Sequence, residues 1–232
     1  MTSASARARQ ALLEIKRQGS RANREGMARY GIRAREAYGV SAPVLRSIAK
    51  RLGRDHELTL ALRRTGVFEA RVLAALVADP AALTPAEMDR WALEFENWAD
   101  CDAACANTFD RTPHAYAVAA AWSRRPEELV RRSAFSLMAA LAVHDKRAPD
   151  RAFAAFLPLI EGAAGDGRNN VKKGVNWALR QIGKRNRALN RRAVACARRI
   201  ARQGSPSARW IASDALRELT GPKVRARLAR AR

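Results

Sequence analysis

Few residues in this chain have the types and spacing that chemistry requires, and the densest group is Glu96-Asn97-Trp98-Ala99-Asp100-Cys101-Asp102. On a helix, Trp98 and Asp102 are one turn apart and share a face. A carboxylate beside an indole suits a cationic or electron-poor group: the anion stabilises developing positive charge and the ring offers its π face. A second tryptophan, Trp177, stands inside Val171-Lys172-Lys173-Gly174-Val175-Asn176-Trp177-Ala178-Leu179-Arg180, a basic segment that is not purely a core helix. The competing reading makes both tryptophans core residues and Asp102 an ion-pair partner, and periodicity alone leaves both readings open. Trp91, Trp122 and Trp210 are expected to be structural.

Other candidate chemistry is sparse. His56, His114 and His144 are far apart, and the chain has no HExxH and no CxxC pattern. Cys101 and Cys105 stand at i, i+4 but have no further Cys or His beside them, so they are expected in the core, with no metal and no cofactor. There is no glycine-rich phosphate loop and no nucleophile elbow. Gly165-Asp166-Gly167 reads as a plain loop.

The elements that must position these residues read as helices throughout. Alanine and leucine dominate, and no long segment alternates with period two. Helices are predicted near 5–18, 21–30, 41–52, 57–65, 68–78, 85–95, 98–108, 114–123, 127–143, 149–161, 170–185, 188–202, 206–219 and 223–230. Ser41-Ala42-Pro43 reads as a cap with proline in the first turn, and Thr84-Pro85-Ala86-Glu87 as a capping box. Asp79-Pro80 and Gly221-Pro222 read as stops. Weak repeats support a regular architecture: Val130-Arg131-Arg132 matches Val171-Lys172-Lys173 at an offset of 41, and Ala178–Gly183 matches Ala215–Thr220 at an offset of 37. Such offsets suit two-helix repeats of the HEAT or armadillo kind. The expected fold is therefore all-α: an α-solenoid of stacked antiparallel helix pairs, one domain over 1–232, with short flexible ends at 1–5 and 231–232. Arg132, Lys173 and Arg209, near the starts of second helices, are expected along a basic concave face.

Composition narrows the partner. The 232 residues include 44 Lys or Arg and 22 Asp or Glu, a net charge of +22, while 48% hydrophobic residues argue against intrinsic disorder. Residues 1–50 carry a net +8, residues 51–150 a net −2 and residues 151–232 a net +16. Such an excess at the two ends invites a polyanion, nucleic acid first. Only 7 of the 44 cations are lysine, so a general arginine bias is the competing explanation. No apolar run approaches the ~18 residues of a membrane span, so no membrane partner is expected. Met1–Arg9 has no apolar stretch behind it and does not read as a secretory signal. Three cysteines that cannot all pair fit a reduced, cytoplasmic compartment.

Several blocks, in order, resemble the AlkD-like DNA alkylation repair proteins: Met27-x-x-Tyr30; Tyr38 to Lys50; Asn97-Trp98-x-x-Cys101-Asp102; Val130-Arg131-Arg132-Ser133-Ala134-Phe135; and Val171 to Asn186. They span roughly residues 10–220. The resemblance implies a HEAT-like solenoid that holds double-stranded DNA and a monofunctional glycosylase that removes cationic N3- and N7-alkylated purines without flipping them out. It implies Asp102 as the catalytic carboxylate, Trp98 and Trp177 as aromatic walls against the lesion's deoxyribose, Arg132 as a phosphate contact, and Tyr30 as a DNA contact. Lys173 and Arg180 join the DNA-binding set. A monomer without an obligate protein partner is expected. One departure stands out: an aspartate is expected directly after the tryptophan, and this chain has Ala99 there with Asp100 one step later. Two alternatives accompany this reading, a non-catalytic binder of unusual DNA structures and a protein-interaction scaffold.

Overall fold

The computed structural model describes residues 3–230. Their regular structure is helical, and chain contacts divide it into two compact units, Met1–Thr112 and Pro113–Arg232. The first unit contains α1 (Ser3–Arg17), α2 (Arg21–Arg29), α3 (Ala42–Leu52), α4 (His56–Arg63), α5 (Phe68–Val77), α6 (Pro85–Leu93) and α7 (Trp98–Asn107), then a 3-10 turn at Phe109–Arg111. Helix α1 begins at Ser3, inside the segment read as a flexible tail; 231–232 lie outside the described residues.

Helix α5 is the hub of the first unit. It packs against α1, α3, α4 and α7, and most of its residues are buried, Glu69 and Arg71 included. Ile15, Leu45, Ile48, Leu58, Leu62 and Leu73 meet there with essentially no exposure. The capping box at Thr84 is present: the Thr84 side chain accepts from Glu87 N while Glu87 accepts from Thr84 N. Ser41 caps α3 by backbone conformation alone, with Pro43 in the first turn.

Residues 30–41 form no helix, and a buried carboxylate organises their end. Glu69 on α5 accepts hydrogen bonds from the backbone N–H groups of Tyr38, Gly39 and Val40. Gly39 has φ +80°, and a Cβ there would stand 2.2 Å from the Ser20 carbonyl oxygen, so only glycine fits.

The second unit contains α8 (Ala115–Trp122), α9 (Glu128–His144), α10 (Asp150–Ala154), α11 (Leu157–Ala163), α12 (Asn169–Gly183), α13 (Arg187–Ala201), α14 (Pro206–Leu219) and α15 (Pro222–Arg230). The single helix predicted over 149–161 is two. Pro158 has no N–H to donate back to the preceding turn, and its ring crowds that turn's carbonyl, so the chain restarts at Leu157.

Helices α9, α12 and α14 are successive second helices: α12 packs on both of the others, while α8, α11 and α13 lie against them as first helices. The sequence offsets of 41 and 37 fall on equivalent core positions. Val130, Val171 and Ala208 are buried, as are Ala134, Val175 and Ala212, and Leu141, Ile182 and Leu219. Gly174 lets α12 approach α9 closely, since a Cβ there would lie 3.3 Å from both the Arg132 carbonyl oxygen and the Phe135 Cβ. Among the described residues, no helix is long and apolar enough to cross a membrane.

Candidate nucleic-acid interface

In the first unit the candidate site is the start of α7. Asn97 is its N-cap: Oδ1 accepts from Ala99 N at 3.0 Å and Asp100 N at 3.2 Å, satisfying two N–H groups that a helix start otherwise leaves open. Trp98 is the first helical residue, and Asp102 follows one turn later on the same side; both are half-buried. The capping pattern Asn-x-x-Asp was available in the sequence as a helix-start signal, although its role in aiming Trp98 was not.

Tyr30, 68 positions away, is brought to Trp98. The indole Nε1 donates to the Tyr30 carbonyl oxygen at 3.0 Å, and the phenol ring stands 79% exposed at the end of α2. Two further bonds fasten the same loop: Asn97 Nδ2 donates to the Arg33 carbonyl at 3.1 Å, and Arg35 N donates to Glu96 at 2.9 Å. The residues after α2 are thus stitched to the start of α7, which fixes an exposed tyrosine, an indole and a carboxylate in one neighbourhood.

Asp100 has a different task from Asp102. It is 3% exposed and pairs with Arg71 of α5, whose Nη2 lies 2.9 Å from Oδ2 and whose Nε lies 3.4 Å from Oδ1. Glu96 takes a second bond from the same guanidinium at 3.0 Å. Burial pushes the Asp100 pKa above the ordinary carboxylate value, against the pull of Arg71 and the Glu96 N–H. Burial works against the charge on Arg71 too, but Asp100 and Glu96 outweigh it and raise its pKa. This carboxylate anchors α7 to α5, and no residue spacing marks Arg71 as its partner.

In the second unit the candidate residues lie on α12 and α14. Lys173, Trp177 and Arg180 follow one stripe of α12: Lys173 is exposed, and the other two are half-buried. Arg180 does not offer an unmatched charge, because Nη1 reaches Glu218 at 2.5 Å and Asp214 at 3.5 Å. Lys184 also binds Glu218, at 2.6 Å, and Asn176 donates to Asp214 at 2.7 Å. Burial tends to raise the Glu218 pKa, but the bonds from Lys184 and Arg180 prevail and hold it below the usual value.

Arg132 does not stand on an open basic face with Lys173 and Arg209. It is 5% exposed, lies against Gly174 of α12 and donates from Nη1 to the Asn170 carbonyl at 3.1 Å. The close α9–α12 approach that Gly174 allows is what covers it.

The tryptophans divide differently from expectation. Trp91 and Trp122 are core, as read. Trp210 is not: it is 42% exposed, because α14 buries Ser207, Ala208, Ile211, Ala212, Ala215 and Leu219, and position 210 falls outside that stripe. Cys101 and Cys105 are fully buried in the core. Cys196 is as well, and its thiol is pushed up to about 12 by burial.

Comparison with known proteins adds three findings. The model of a family described as DNA alkylation repair enzyme matches residues 11–219. A solved structure described as "a new family of proteins related to the HEAT-like repeat DNA glycosylases with affinity for branched DNA structures" superposes with a TM-score of 0.76 over 95% of each chain, at 19% identity. Its likeness fixes the fold as HEAT-like. No curated protein matches.

Proposed function

Because the chain belongs to the DNA alkylation repair enzyme family, we propose that it binds double-stranded DNA and hydrolyses the N-glycosidic bond of cationic N3- and N7-alkylated purines, leaving the base in the stack. The observation that carries this reading is the start of α7, where Trp98 and Asp102 share a face and a hydrogen bond ties Trp98 to the exposed Tyr30 segment. An alkylated N3 or N7 already bears positive charge, so the purine departs neutral and needs no strong general acid. The deoxyribose left behind develops oxocarbenium character. In this role Asp102 stabilises that charge and orients the attacking water, Trp98 meets the polarised C–H groups of the sugar, Trp177 offers the DNA an aromatic contact from the second unit, and Tyr30 contacts the DNA. Lys173 meets phosphate, with Arg180 beside it, and the +16 on residues 151–232 supplies the sequence-independent attraction. Arg132, in this reading, acts by holding α9 against α12.

The test is release of 7-methylguanine from duplex DNA by the purified protein. Asp102→Asn, checked for folding by circular dichroism, should lower excision by a factor on the order of 10²–10³, the size typical of losing one preorganised electrostatic group. Its DNA affinity should hold or rise, since a negative charge has left a DNA-facing surface. Wild-type excision in the variant removes Asp102 from its role.

A second reading rests on the structural neighbour with affinity for branched DNA and on Ala99, which stands where an aspartate is expected while the next residue, Asp100, is buried against Arg71. In it the protein is a binder of DNA structures without glycosylase activity, expected in a cytoplasmic, DNA-associated location and as a monomer. Tight, salt-sensitive binding with no released base, methylated substrate included, selects this reading.

A further inference from the structure

We propose that Trp210 and the cations around it, all of the second unit, form a stacking platform for an unpaired nucleobase of a DNA strand; the inference rests on the DNA-binding reading above. An indole 42% exposed on a helix with a well-formed buried stripe is not held there by packing. Its company is cationic. The Lys172 ammonium lies 5.0 Å from the ring centroid, Lys173 is exposed one residue on, and Arg209 precedes the tryptophan on α14. Arg209 is steadied by a hydrogen bond to the Gly204 carbonyl, and among the described residues no carboxylate pairs with it.

The carboxylates of this region are directed elsewhere. Asp166 is held by Arg131 at 3.2 Å and by Arg168 at 2.6 Å, with its side chain 8% exposed. Asp214 and Glu218 lie one and two turns farther along α14 and are engaged by Arg217, Arg180 and Lys184. The Trp210 end therefore presents an exposed indole, with Lys172 over its ring, and positive charge together. It is also the structural equivalent, 37 residues on, of Lys173 on α12, so it continues the row that carries Lys173 and Trp177.

An intact duplex offers phosphates and base edges, and its base faces are hidden in the stack. Only a strand with an unstacked base presents both a flat π surface and an adjacent phosphate, and that pairing is what an indole flanked by lysines recognises. The occupant is thus a single-stranded gap, flap or junction arm of DNA. The base stacks on Trp210, and its flanking phosphates meet Lys172, Lys173 and Arg209.

The experiment compares two labelled probes of equal length, an intact duplex and the same duplex with a six-thymidine gap, binding to wild type, Trp210→Ala and Trp210→Phe. Trp210→Ala should weaken gapped-DNA binding about tenfold, within the range measured for one base on one aromatic ring. Intact-duplex binding should change less than twofold, and Trp210→Phe should restore most of the gapped affinity. Equal gapped-DNA binding by wild type and Trp210→Ala overturns the proposal, as does an equal loss on both probes. Wild type that binds neither probe overturns the DNA-binding reading itself, and a variant melting profile matching wild type excludes misfolding as the cause of any loss.

Discussion

Replacing Asp100 by asparagine separates the anchoring carboxylate from the one assigned to chemistry. In the folded chain the Asp100 side chain is 1% exposed and that of Arg71 is 5% exposed, with contacts of 2.9 and 3.4 Å between them. Removing one member of a buried ion pair typically costs ~3–5 kcal/mol, because the surviving charge is left desolvated. Here Glu96 still reaches Arg71 at 3.0 Å and the asparagine oxygen keeps one acceptor, so the low end applies, about 3 kcal/mol. At roughly 2–4 °C per kcal/mol for a chain of this size, the melting temperature should fall by about 6–12 °C. Thermal denaturation followed by circular dichroism reads this directly. Arg71→Met with Asp100→Leu should recover part of the loss, since replacing both members by apolar groups removes the orphaned charge. At a temperature where Asp100→Asn remains folded, it should still excise 7-methylguanine while Asp102→Asn does not. A variant that melts within 2 °C of wild type would refute the anchoring role, and one that stays folded yet loses excision as Asp102→Asn does would exchange the two carboxylates.

Gly39→Ala should be severely destabilising, by several kcal/mol, because it adds a contact at 2.2 Å to a φ of +80°; urea unfolding with the midpoint well below wild type is the expected result. Trp91→Ala should cost ~3–5 kcal/mol as a core truncation, whereas Trp98→Ala and Trp177→Ala should cost less and act mainly on excision, which melting and activity measured on the same samples will separate. Acid should weaken the α12–α14 contact: the folded Glu218 pKa lies below its unfolded value, so its stabilisation is present above about pH 4.5 and is lost as pH falls through the lower folded value. Glu218→Gln should flatten that part of the stability–pH curve. Duplex affinity should drop on the order of 10³-fold between 50 and 200 mM salt for ~6 phosphate contacts, and Lys173→Ala should make the slope shallower by about one contact; a flat titration contradicts phosphate binding.

Residue spacing alone encodes the helical class, the capping box at Thr84 and the register of the repeats. Each of these is written in regular spacing: apolar residues at helical period, caps and prolines at helix ends, and core positions recurring at 41 and 37 residues. It also placed Trp98 and Asp102 on one helical face, because i, i+4 geometry is local. The rest depends on which surfaces meet in the folded chain. Tyr30 joins Trp98 through a carbonyl 68 residues away, and Arg71 turns Asp100 into an anchor. Neither pairing leaves a periodic trace. Burial divided the arginines in the same way. Arg132 and Lys173 occupy equivalent repeat positions, yet one is covered where α12 closes on α9 and the other stands in water. Trp210 is expected to be structural, but its place on α14 lies outside the stripe that faces the neighbouring helices. Residue type sets how much a side chain gains from burial; only the packed neighbours decide whether burial is available.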